Sequence, residues 1–267
     1  MSLSLFNQYG IFSSSGVISP PATLADIYAA NGVQRFDGQA QSFTNGQSIT
    51  SMPVQGNTNA VLTGSTAPVW NSTGINGHPA LSTMFNQILE SPAHPAIVGT
   101  PWTFAVVYQR SSQTNSYYVI RHLHNGGGTP NDESASLFGN PVDGADTISF
   151  TKGIYTSSIP IQDTTLPTSP SRVLIASLDP VTGIRIATMA LDGTREYIDL
   201  SSGLDYLGSY GVGTAMYFTQ PPVTQFGNNG FSDDGSTNLI GEYFFINIEK
   251  SYTQMEEMCN LFADKWE

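Results

Sequence analysis

The feature that most constrains this chain is a change of hydrophobic period near its C-terminus. Leu239-Ile-Gly-Glu-Tyr-Phe-Phe-Ile-Asn-Ile248 is apolar at both odd and even positions, so as a strand it must be covered on both faces. A few residues later, Met255, Met258, Cys259, Phe262 and Trp266 recur at helical spacing, with Glu256, Glu257 and Asp264 falling between them. A strand buried on two sides calls for layers, and the helix's one-sided apolar stripe is expected to pack on them. Thr253 and Glu256 have the spacing of a capping box, and the expected helix spans 253–266.

Upstream, period two dominates. Trp102, Phe104, Val106 and Tyr108 alternate with Thr103, Ala105, Val107 and Gln109. Tyr117–Leu123, Arg172–Ser177, Ile184–Leu191, Arg195–Leu200 and Ala215–Thr219 also read as strands. Asp179-Pro-Val-Thr-Gly183 and Asp192-Gly193 supply turn chemistry between neighbouring runs. The expected fold class is all-β, an antiparallel sandwich closed by a C-terminal α-helix. A chain of 267 residues fits one such domain.

Four segments resemble the concanavalin A-like, laminin G-like jelly-roll domains of phage virion and bacterial surface proteins. Gln55–Ala60 with Ala67-Pro-Val-Trp70 and Gly74–Leu81 resembles the stretch that enters the first core strands. Thr100–Tyr108 resembles the next long strand, and Ser177–Gly183 with Leu191-Asp-Gly193 the hairpin pair. Ile240–Ile248 and the helix ending Ala263-Asp-Lys-Trp266 resemble the closing elements. The resemblance spans residues 46–267 and implies a concanavalin A-like jelly roll. It leaves residues 1–45 as an N-terminal arm or as the sandwich's first strand, with a short helix over Thr23–Ala30. Phe6, Tyr9, Ile11 and Phe12 lie in that segment among polar residues, which makes them the expected oligomer or particle contact.

Composition narrows the functions open to the chain. Only 11% of residues are charged and the formal net charge is −12. Nine Lys and Arg against 21 Asp and Glu provide no cationic cluster for a phosphate backbone or an anionic membrane surface. A single cysteine, Cys259, excludes an internal disulfide framework, and its place on the helix predicts a buried, inert thiol. The first residues, MSLSLFNQYGIFSSSG, carry neither the basic region nor the apolar run of a secretory signal.

Catalytic signatures are sparse. Retaining glycan hydrolysis needs two facing carboxylates, and the hydrolytic relatives carry them as Glu-x-Asp-x-x-Glu. Glu90, Glu133, Glu196 and Glu242 are followed two residues on by Pro92, Ala135, Ile198 and Phe244, so that motif is missing. There is no G-x-S-x-G elbow, P-loop or H-E-x-x-H helix. The expectation is therefore no enzyme, no catalytic residues and no cofactor. His122 and His124, two apart on a strand, suit one metal by spacing, but with no third ligand nearby they read as an exposed strand end. Asp233-Asp234-Gly235 with Asn238, and Asp143 with Asp146, are candidate oxygen ligands for a rim calcium, or else turns. Trp70, Tyr117, Tyr118, Tyr206, Tyr210 and Tyr217 are the candidate platforms for a sugar ring.

Three functions follow in order of fit. The first is a virion structural protein of a bacteriophage, made in the host cytoplasm, with other virion proteins or its own copies as partners and host glycans as a further contact. The second is a free carbohydrate-binding or adhesion module. The third is a glycan hydrolase with an unrecognised site.

Overall fold

The computed structural model describes residues 23, 34–54, 60–62, 66–110, 118–124, 133–139, 146–152, 155–160, 171–179, 183–195, 197–199, 217–227 and 237–267. The strands in chain order are β1 (Gln34–Asp37), β2 (Ser51–Met52), β3 (Ala60–Leu62), β4 (Val69–Ile75), β5 (His78–Thr83), β6 (Ile88–Glu90), β7 (Thr103–Arg110) and β8 (Tyr118–His124). They continue with β9 (Glu133–Gly139), β10 (Asp146–Lys152), β11 (Tyr155–Pro160), β12 (Arg172–Asp179), β13 (Gly183–Ala190), β14 (Tyr197–Asp199), β15 (Val223–Gly227) and β16 (Asn238–Ile246). The helix α1 (Tyr252–Trp266) closes the chain.

The strands form two antiparallel sheets. The first runs β14-β13-β12-β7-β16-β5-β4, with β1 also paired to β16; the second runs β11-β10-β9-β8-β15-β6-β3-β2. The chain is thus an all-β sandwich with a terminal helix, as the alternating runs imply.

One apolar layer lies between the sheets. Phe104, Val106 and Tyr108 of β7, Leu174 and Ala176 of β12, and Tyr243 and Phe245 of β16 meet Ile120, Leu137, Ile148 and Phe226 of the second sheet. Trp102 stacks on Phe104 at 6.0 Å and also contacts Phe150 and Phe218. The second layer uses the alternate residues of the same strands. Ala105, Val107, Val173, Ile175, Phe244 and Ile246 lie beneath Met255, Met258, Cys259, Phe262 and Trp266 of α1. Period two on β7, β12 and β16 therefore feeds two cores, and this explains why β16 is apolar at both parities.

The helix starts one residue earlier than its sequence suggests, and a different pair caps it. Ser251, in extended conformation, is the N-cap: its Oγ accepts the Gln254 N–H at 3.3 Å, and Gln254 Oε1 accepts the Ser251 N–H at 2.9 Å. Thr253 already lies inside the first turn, so it cannot cap with Glu256. Burial pushes the Cys259 thiol well above its ordinary range, consistent with an inert side chain.

Two further points concern the start of the chain, where the first-strand alternative fits residues 34–37, and a predicted strand near residue 217. Of the 1–45 segment, residues 34–45 belong to the sandwich: Gln34–Asp37 pairs with Phe245–Glu242 and Phe36 is fully buried. Phe6, Tyr9, Ile11 and Phe12, and the helix expected over Thr23–Ala30, fall outside the described residues except for Thr23. Residues 217–219 are not a strand. The prolines at 221 and 222, which offer no amide to a ladder, precede the true strand β15.

Two glycines permit the closest backbone approach. At Gly241, where β16 shifts register against β7, an added Cβ would lie 2.5 Å from the Trp266 ring. At Gly38 it would lie 2.5 Å from the Pro79 carbonyl oxygen and 2.6 Å from that of Gly241. Gly241→Ala should therefore lower stability by about 1–3 kcal/mol through overpacking. Chemical denaturation checks this; a variant as stable as the parent would show that the Trp266 ring has room to shift.

Candidate functional site

Two clusters of polar and ionisable groups flank β16 on opposite faces. Adjacent strand residues face opposite ways, so Glu242 and Tyr243 send their side chains into different layers. β1 does the same beside them: Phe36 is opposite Tyr243 and Asp37 is opposite Glu242.

On the helix side, Glu242 is a fully buried carboxylate. Its Oε2 accepts from Lys265 Nζ at 2.6 Å and from the Trp266 indole N–H at 2.9 Å, and its Oε1 accepts from Arg35 Nη2 at 3.2 Å. Asp37 completes the group, 2.6 Å from Arg35 and 2.9 Å from Lys265. Two acids and two bases balance. An ionised carboxylate in this position is tolerable because the partners replace its lost hydration. The cluster ties β1, β16 and α1 together.

Between the sheets lies a neutral network. His122 is fully buried on β8. Its Nδ1 is 3.2 Å from the Ala135 carbonyl oxygen and its Nε2 is 2.9 Å from the Tyr243 hydroxyl. A carbonyl can only accept, so Nδ1 carries the proton and Nε2 accepts from Tyr243. Thr224 Oγ1 stands 3.0 Å from both the Tyr243 hydroxyl and Gln34 Oε1, and 3.3 Å from His94 Nε2. Ser91 Oγ is 3.0 Å from His94 Nε2 and accepts the Thr224 N–H at 3.0 Å. Burial pushes His94 down to about 4 and is the largest cause that takes His122 to about 3, so both rings are neutral near pH 7.

The sequence-predicted residues fare differently. His122 is not at an exposed strand end but in the core, and both of its ring nitrogens are engaged. His124, paired with Glu133, is half-buried at the end of β8. Glu133 accepts from the Thr219 N–H and hydroxyl, both at 2.7 Å, and Glu90 accepts from Gln225 at 2.8 Å. Trp70 is buried, edge-on to Phe36 and Phe43, so it is a core residue and not a sugar platform. Tyr217 is half-buried against the same core. Tyr117, Tyr206, Tyr210, Glu196, Asp143, Asp233 and Asp234 fall outside the described residues. Asp146 opens β10, and Asn238 is buried at the start of β16. Among the described residues no group of three His, Cys, Asp or Glu is placed to hold a metal.

Sequence reasoning missed Gln34, Ser91, His94 and Thr224 as members of one network. They are up to 190 residues apart, and no local pattern joins them. It also missed a buried polar row at one end of the first sheet. There the ladder places Arg110 and Thr83 on either side of Asn238, with Arg172 opposite Tyr108, and all four are buried.

The comparisons bear on the fold. No protein-family model and no curated protein matches the chain. Among solved structures it is similar to the botulinum neurotoxin serotype D binding domain, at 9% identity and a TM-score of 0.55, covering 89% of this chain and 53% of that one. The serotype D ligand-binding domain in complex with N-acetylneuraminic acid gives 9% identity and 0.52, over 86% and 52%. Trypanosoma rangeli sialidase in complex with sialic acid gives 8% identity and 0.53, over 97% and 36%. The chain spans about half the length of the toxin domains and about a third of the sialidase chain. At such identities the likeness is one of fold.

If the inter-sheet network is structural, Tyr243→Phe should cost about 1–3 kcal/mol, since it strips His122 Nε2 of its donor in a buried site. Thermal melts at pH 7 check this; an unchanged midpoint would mean that the hydroxyl contributes nothing.

Proposed function

We propose that the chain is a carbohydrate-binding or adhesion module. One observation carries this reading. The described buried carboxylates and histidines are engaged in hydrogen bonds that hold the sandwich together, and the sandwich has the fold of domains solved with N-acetylneuraminic acid or sialic acid bound. Glu242, the one Glu on a predicted core strand, is neutralised by Arg35, Lys265 and Trp266. Glu133 is held by Thr219. Recognition by such a scaffold falls to the segments joining the strands, where binding residues usually sit on a rigid frame. Trp70 does not take part and Tyr217 packs half-buried against the core, so the candidate platforms that remain by residue type are Tyr117, Tyr118 at the first position of β8, Tyr206 and Tyr210.

The virion reading is supported by the sparse charge and polar surface composition, and it specifies where such a module would be carried rather than what it does. In that setting Phe6, Tyr9, Ile11 and Phe12 would contact another copy or another virion protein.

A glycan array carrying neutral and sialylated oligosaccharides tests the module directly. Saturable binding is expected, weakened at least tenfold by Ala at one or more of those four tyrosines in a protein whose melting temperature is unchanged. Absence of binding to every glycan, with turnover of a polysaccharide by the same preparation, would refute it.

A further inference from the structure

We propose that His94 is an acid-released latch: on protonation its ring leaves the inter-sheet network, and the segment from Ser91 to Gly99 opens while the central strands stay paired. The segment is held by backbone bonds and by Ile97, which is buried in the inter-sheet core. Ser91 N–H donates to the Thr224 carbonyl at 2.9 Å, His94 N–H to that of Pro222 at 2.8 Å, and Gly99 N–H to that of Phe218 at 2.9 Å. Inside, the His94 ring stands edge-on to Phe245 at 5.9 Å, with Nε2 turned to the Ser91 and Thr224 hydroxyls. Outside, its neighbours Ala93, Pro95 and Ala96 are exposed. The ring is thus buried one residue from water, and an outward turn exposes it without separating the sheets.

Burial is what disfavours a proton on the ring in place. From β8 it lies near His122, which stays neutral down to about pH 3; from β16 it meets Phe245; from β15, Thr224; Gln34 and Tyr243 stand behind Thr224. Asp37, Arg35 and Glu242 are on the opposite face of β1 and β16 with Lys265. Glu133 is turned to Thr219 and Glu90 to Gln225. Burial alone accounts for the depressed affinity of His94 for protons.

The sign follows. A histidine that binds protons more weakly when closed than when open favours the closed form fully above about pH 6.5, and the preference falls about tenfold per pH unit down to about pH 4.

Hydrogen exchange of the intact protein, expressed as protection factors, tests this. Amides in 91–99 and at Thr224 should lose protection about tenfold per pH unit below about pH 6, while β7, β12 and β13 keep theirs. His94→Gln should make protection of 91–99 independent of pH in that range. Loss of protection in all strands at one midpoint, or none in 91–99, would overturn the latch, and so would a His94→Gln protein with the parent's pH dependence. Should that variant fail to fold, the contrast between 91–99 and β7 in the parent decides alone.

Discussion

The sandwich depends on one buried carboxylate. Glu242 sits in the middle of β16 with no contact with water, an arrangement that would cost several kcal/mol without partners. Its three donors come from β1 and from the last two residues but one of the chain: Arg35, Lys265 and Trp266. These contacts fix where β1 enters the sheet and where α1 ends. Gly241, beside it, leaves the space that the Trp266 ring fills, and Gly38 lets the turn after β1 close against Pro79 and Gly241. The helix is therefore held at its N-terminus by the Ser251–Gln254 box and at its C-terminus by a charge cluster, with apolar packing between.

The next residue, Tyr243, does the corresponding work on the other face. Its hydroxyl joins His122 and Thr224 of the second sheet, and Thr224 in turn donates to Gln34 of β1. β1, only four residues long, thus contributes Gln34 to the inter-sheet network and Arg35 and Asp37 to the carboxylate cluster. Ionisable groups that might suggest chemistry are consumed by structure in this way. In the proposed binding module recognition falls to the strand connections, and the similarity to toxin and sialidase chains is one of scaffold alone.

Much of this frame was legible in the sequence, because hydrophobic period reports burial directly. β7, β12, β13, β16 and α1 are the strongly periodic elements, and each is a core element. Weaker patterns escaped. β9, β10 and β11 are rich in Ser and Thr, and β15 hides behind two prolines. The candidate site was much less legible. Alternation placed His122 on a strand but not which face of it met another sheet, and Trp70 as a sugar platform failed for the same reason. Ser251 and Gln254 carried a capping pattern as good as that of Thr253 and Glu256, and only the backbone at Ser251 decides between them. The partners of Glu242 are set by strand order, which residue spacing does not encode.

The claim that Glu242 and the helix terminus act as one unit is tested most directly by a double-mutant cycle. Glu242→Gln, Lys265→Met and the pair would be compared by chemical denaturation. A coupling on the order of 1–3 kcal/mol is expected for two groups in direct contact within a buried network. Additive effects, with no coupling beyond about 0.3 kcal/mol, would contradict it and leave α1 held by apolar packing alone.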